Sequence, residues 1–213
     1  MAYDLEAIET ELKKRLPYKN KWFRKQNDHW DDETKFIYKI NTWDELIAQI
    51  AATWKANDFE KEPYFYYAIN RWYNFWSAQA IEQIITDMPG LAANPNPVQD
   101  HYDFKWLGEP FDHKTSVFPK GFGYDYAFAK AHPVQLITWF YNEQSKGQRY
   151  HLNNRLFVVV YDKNGDHYKL KSEIKLLREA IETHMKDRTP GQTYTVNLET
   201  GKETKADIIW VTR

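Results

Sequence analysis

Apolar positions recur at helical spacing in the first half of the chain and at strand spacing in much of the second. Leu5, Ile8, Leu12 and Leu16 fall on one side of a helix expected over residues 3–16, which Pro17 ends. Trp43, Leu46, Ile47, Ile50 and Trp54 repeat the pattern, with Thr42 as N-cap and Glu45 three residues on. A third helix is expected from Pro63 to Met88, dense in Tyr, Phe and Trp, and Pro89-Gly90 stops it. Leu91 to Val98, with two prolines and two asparagines, reads as a loop.

Strand character then takes over. Asp103–Leu107 and Phe111–Phe118 read as two strands around Gly108-Glu109-Pro110, and Pro133–Gln144 as a helix opening on proline. The run Leu156–Tyr161 is wholly apolar and β-branched, as a buried central strand is. Leu170, Ile174, Leu177 and Ile181 form a helical stripe, and Tyr194–Leu198 and Ala206–Val211 close the chain as strands. The pattern predicts an α/β protein with a central mixed sheet flanked by helices. A boundary near residue 60 sets off residues 1–60 as a helical extension packed on a core of 61–213.

The hairpin carries the chemistry. With Gly108-Glu109 as a two-residue loop, Lys105 faces Asp112 and Asp103 faces Lys114. Side chains two apart share a face of a strand, so Asp103, Lys105, Asp112 and Lys114 lie together and His113 points away. Two carboxylates at diagonal positions can hold one cation. Phe104, Trp106 and Phe111 fall on the opposite face. Asp100 is an alternative to Asp103, and Ser116 is a possible phosphate contact.

Composition narrows the function. The 213 residues include no Cys, which excludes disulfides, thiolate zinc sites and a cysteine nucleophile. Aromatics make up 17%, far more than a disordered chain carries. The net charge of -1 leaves nucleic-acid binding to local patches, of which the basic and aromatic run Lys13 to Lys25 is one candidate. The acidic, poorly apolar start predicts no secretory leader. No apolar run reaches the roughly 20 residues of a membrane span, so a soluble, cytoplasmic protein is expected. Histidines lack metal-site spacing, and neither a Gly-rich phosphate loop nor a Gly-x-Ser-x-Gly elbow is present.

An acid, a short spacer, a hairpin turn and then Asp-x-Lys resembles the motif of the PD-(D/E)XK, restriction-endonuclease-like nuclease superfamily. The resemblance spans about residues 75 to 162, with Tyr102 where the family has proline and Asp112 where Glu is commoner. It implies a restriction-endonuclease-like core and a Mg²⁺ (or Mn²⁺) cofactor bound by Asp103 and Asp112. It further implies Glu82, on the helix before the hairpin, as another ligand and Lys114 as the catalytic lysine. Gln135, on the helix after it, is the candidate glutamine facing the site. Nucleic acid, DNA foremost, is the implied partner, and cutting both strands of a duplex would favour a homodimer. A non-catalytic nucleic-acid-binding or assembly module on the same fold is the alternative.

Overall fold

The structure is a computed structural model and describes residues 2–26, 29–96, 102–144, 154–186, 188, 192–198, 201 and 203–213. Asp100 and His101 lie outside the described residues. The chain divides into two compact units, Met1–Ile81 with Lys171–Ile174, and Glu82–Leu170 with Lys175–Arg213. None of the described helices is long and apolar enough to cross a membrane.

The first unit is helical. Its described helices are α1 (Leu5–Lys13), α2 (His29–Glu33), α3 (Trp43–Asn57) and α4 (Lys61–Thr86) as far as Ile81. Asp4 caps α1 by accepting hydrogen bonds from the Glu6 and Ala7 N–H groups. The capping box expected at α3 takes another form, because Thr42 Oγ1 donates to the Glu45 carboxylate at 2.7 Å and accepts no hydrogen bond from a helix N–H. The aromatics of α4 form the core: Tyr64, Tyr67 and Trp72 are fully buried and Trp76 nearly so. Their polar ends are satisfied. Tyr64 O–H donates to Glu33 O, Trp72 Nε1 to Ile40 O and Trp76 Nε1 to Ile37 O and Ile40 O. Such rings bring a large apolar area inside while each donor finds an acceptor. The aromatics of the basic run join this packing, with Trp22 edge-on to Tyr67 and Phe23 against Tyr66.

The second unit is built on a six-stranded sheet in the order β1-β2-β3-β4-β6-β5. The strands are β1 (Ala92–Ala93), β2 (Phe104–Trp106), β3 (Glu109–Val117), β4 (Arg155–Tyr161), β5 (Tyr194–Asn197) and β6 (Glu203–Thr212). β1, β2 and β3 run antiparallel; β3, β4 and β6 run parallel; β5 returns antiparallel to β6. Parallel neighbours need long crossovers. The helices α5 (Tyr126–Ala131) and α6 (Pro133–Gln144) lie between β3 and β4, and α7 (Ile174–Lys186) between β4 and β6. The buried run of β4 occupies the centre, as its continuous apolar sequence predicts, with Phe157 and Val159 in one cluster with Leu136, Ile137 and Phe140 of α6. The protein is therefore α/β, with a mixed sheet flanked by helices.

Some local expectations change. The stretch read as a loop includes β1, paired to β2 through Ala92 and Lys105. Leu170 belongs to a 3₁₀ turn, His167–Ser172, and α7 begins only at Ile174. The hairpin loop is Leu107-Gly108, not Gly108-Glu109, and both residues have positive φ, 55° and 82°. That is the backbone of a type I′ turn, whose twist matches the strands it joins, and Gly108 accepts the second positive φ without a side-chain penalty.

One charge in the first unit is costly. Lys171 Nζ donates to Asn74 Oδ1 at 3.0 Å. Although the residue keeps partial exposure, burial of its ammonium lowers the pKa from 10.5 to about 8. Below pH 8 both folded and unfolded chains carry this proton, and the penalty for charging it is fully present. As pH rises from 8 towards 10.5 the unfolded chain binds more protons, so stability climbs. We predict that Lys171→Met abolishes this climb in thermal melts taken between pH 8 and 10, and that the variant melts above the wild type at pH 7. Equal slopes in both proteins would mean that the ammonium is hydrated.

Candidate active site

β3 lies between an antiparallel and a parallel neighbour, and this fixes the directions of its side chains. Against β2, Phe104 pairs with Phe111, Lys105 with Pro110 and Trp106 with Glu109. The register is shifted by two residues from the expected one, because the loop ends one residue earlier on each strand. Continued by one residue, it sets Asp103 opposite Asp112, where Lys114 was expected. A shift of two preserves the faces. Phe104, Trp106 and Phe111 are buried together, and Asp112 and Lys114 alternate with them on the other side. Against β4, Asp112 pairs with Arg155 and Lys114 with Phe157.

Asp103 occupies a bend just before β2, and its carboxylate turns towards His113. The His113 backbone N–H donates to Asp103 Oδ2 at 2.8 Å, and His113 Nδ1 lies 2.9 Å from the same oxygen. The imidazole is only 8% exposed and Asp103 28%. Burial alone would lower the His113 pKa. The hydrogen bond to the Asp103 carboxylate and the negative charges of Asp103, Glu82 and Asp112 outweigh it, and the net shift is upward from 6.5. One imidazole thus lies within electrostatic reach of three carboxylates, carried by α4, the start of the hairpin, and β3.

Glu82 and Asp112 are each partly buried, and so is Lys114. Gln135 is exposed on the first turn of α6, and its side chain makes no hydrogen bond among the described residues. Also among the described residues, no group of three or more His, Cys, Asp or Glu side chains is drawn together tightly enough to hold an ion. Asp103 therefore contacts His113 directly, Glu82 and Asp112 act on it through their charge, and no closed cage forms among the described residues.

Two groups at this site escape the motif. Arg155 is 8% exposed at the start of β4 beside Asp112, with its guanidinium carbon 5.0 Å from the centre of the Tyr141 ring. Burial pushes the Tyr141 hydroxyl up to about 12, and the charge of Asp112 adds to the shift. The clue in the sequence is an arginine that opens the apolar run Leu156–Val160. The second is Thr115, on the His113 side of β3, whose buried hydroxyl has no hydrogen-bond partner among the described residues.

No protein-family model, curated protein or solved structure matches this chain.

The raised His113 pKa has a sign. A histidine whose pKa rises on folding adds stability that is fully present below pH 6.5 and is lost as pH climbs through the folded value. In buffer with a chelator, His113→Gln should lower the melting temperature more at pH 6 than at pH 9. A charged hydrogen bond of this kind contributes roughly 1.5–3 kcal/mol. An equal loss at both pH values would show that the imidazole stays neutral among the acids.

Proposed function

We propose that this chain is a Mg²⁺-dependent nuclease that hydrolyses phosphodiester bonds in nucleic acid, with DNA as the expected substrate, on a restriction-endonuclease-like core. The observation that supports the reading is the pair Asp103 and Asp112, set opposite each other by the β2–β3 register, with Lys114 on the same side of β3 as Asp112 and the charge of Glu82 acting at His113. The order of elements supports it further: a helix bearing an acid, a hairpin bearing two acids and a lysine, a helix, then a parallel strand.

The donors suit the ion. They are carboxylate oxygens without sulfur, and Mg²⁺ commonly takes only one or two carboxylates and keeps several waters. Asp103 and Asp112 would hold it, with Glu82 assisting. When bound, Mg²⁺ supplies a water of lowered pKa and positive charge at the phosphate. Lys114 orients or deprotonates the attacking water. Arg155, beside Asp112, adds a fixed cation that favours the charge developing on the phosphate oxygens. Gln135 is exposed and makes no hydrogen bond to the acids among the described residues. A cytoplasmic setting and a two-fold dimer on duplex DNA belong to the same proposal.

A second reading has its own observation. The Asp103 carboxylate is already engaged by His113, which suits a non-catalytic nucleic-acid-binding or assembly module.

The two readings separate on plasmid DNA and single-stranded RNA incubated with Mg²⁺ or Mn²⁺. The nuclease reading predicts cleavage, abolished by Asp112→Ala and by Lys114→Ala, each a loss of at least about 10²-fold, with melting temperatures in chelator near the wild type. Mn²⁺ should raise the melting temperature of the wild type and not of Asp112→Ala, because an ion that binds only the folded state must stabilise it. Full activity in either variant ends this mechanism. Binding without cleavage and without a metal-dependent shift selects the second reading.

A further inference from the structure

β6 runs from Glu203 to Thr212, but β5 covers only Glu203 to Ala206. Beyond that point β6 has β4 on one side and no strand on the other among the described residues. The main-chain directions follow from the hydrogen bonds to β4. Arg213 N–H donates to Tyr161 O, and Lys163 N–H donates to Arg213 O. Odd-numbered residues of this stretch therefore turn their N–H and C=O groups to β4, and Ile208, Trp210 and Thr212 turn theirs to the open edge.

Among the described residues the edge is blunted at one place. Asp207 is fully buried, and its carboxylate accepts from the Ile208 N–H at 2.8 Å, with His184 Nε2 at 2.8 Å and Arg188 Nε at 3.1 Å holding it there. This carboxylate occupies the outward donor next to the end of β5. Among the described residues the outward groups of Trp210 and Thr212 have no strand partner. They border a groove of about 630 Å³ that has Leu176, Ala180 and Thr183 of α7 on one wall and Lys130 of α5 on the other. Lys130 Nζ lies 5.4 Å from the centre of the Trp210 ring. None of the acids proposed to hold a metal lines this groove.

We propose that this groove docks an extended peptide segment, which adds to the sheet as a further strand along Ile208–Thr212. A row of outward N–H and C=O groups at strand spacing is complemented by another extended main chain. Helix residues wall the edge on both sides. A single strand enters between them, whereas the sheet edge of a second copy would bring its own α5 and α7 into the same space. Charge selects against a phosphate backbone, because Lys130 and Arg188 are balanced by Glu179 and Asp207. The walls offer Leu176 and Ala180 on one side and the Trp210 ring on the other, so the segment carries small apolar side chains at alternate positions. This proposal is independent of the nuclease reading.

The test begins with a random octapeptide library on phage, panned against the full chain. One selected peptide is then synthesised and titrated by fluorescence anisotropy and by amide NMR. The expected result is a binder with alternating small apolar residues that slows hydrogen exchange at the Trp210 and Thr212 amides. Thr212→Pro removes an outward donor and leaves the pairing to β4, and should weaken binding about tenfold or more. Ala180→Arg fills the groove from α7 without touching the sheet and should do the same, so it decides the matter if the proline variant fails to fold. Failure to select any binder, binding unchanged in Ala180→Arg, or a dimer by sedimentation whose Trp210 amide is protected without peptide would each overturn the proposal.

Discussion

Carboxylates brought together repel one another, and a positive group or a hydrogen-bond donor among them favours their ionised form. At the candidate site the group that faces them is a buried imidazole. His113 receives the charges of Glu82, Asp103 and Asp112 and is held to Asp103 through both its ring and its own backbone N–H. The hairpin, the C-terminal end of α4 and the first residues of β3 are organised around this contact. The proposed chemistry turns on the same contact, because a bound ion would have to compete with His113 for the Asp103 carboxylate.

The strand that carries these groups is constrained from both sides. β3 is fixed against β2 by a two-residue turn and against β4 by a parallel ladder, so its alternation cannot slip by one residue. Asp112 and Lys114 therefore keep one face while Phe111 stays buried with Phe104 and Trp106. Arg155 enters from the neighbouring strand at the level of Asp112. An antiparallel partner on one side and a parallel partner on the other bring charge from several parts of the chain to one end of a buried sheet.

Period-two and helical patterns were enough to anticipate the layout of the second unit. The apolar run of β4 could only be buried on both faces, and the acid and lysine two apart could only share one. The turn was misplaced because Gly108 suits the first position of one hairpin loop and the second position of another, and the choice rested on the positive φ of Leu107, a residue that gives no such signal. The engagement of Asp103 by His113 was not readable either. Alternation sends His113 to the far face, and only the bend before β2 lets the carboxylate reach it. Arg155 could have been suspected, because an arginine at the head of an apolar strand needs a partner. In the first unit the aromatic band of α4 reads plainly as core, but its acceptors, Glu33, Ile37 and Ile40, lie 31 to 39 residues away and carry no local mark.

The central claim is that the acids around His113 form a place for a divalent cation. The most direct measurement is anomalous diffraction at the manganese edge from crystals grown with Mn²⁺. The account predicts a single strong peak within coordination distance of Asp112 and Asp103 carboxylate oxygens, with Glu82 close by. A map without a peak there, with Asp103 still bonded to His113, would contradict it.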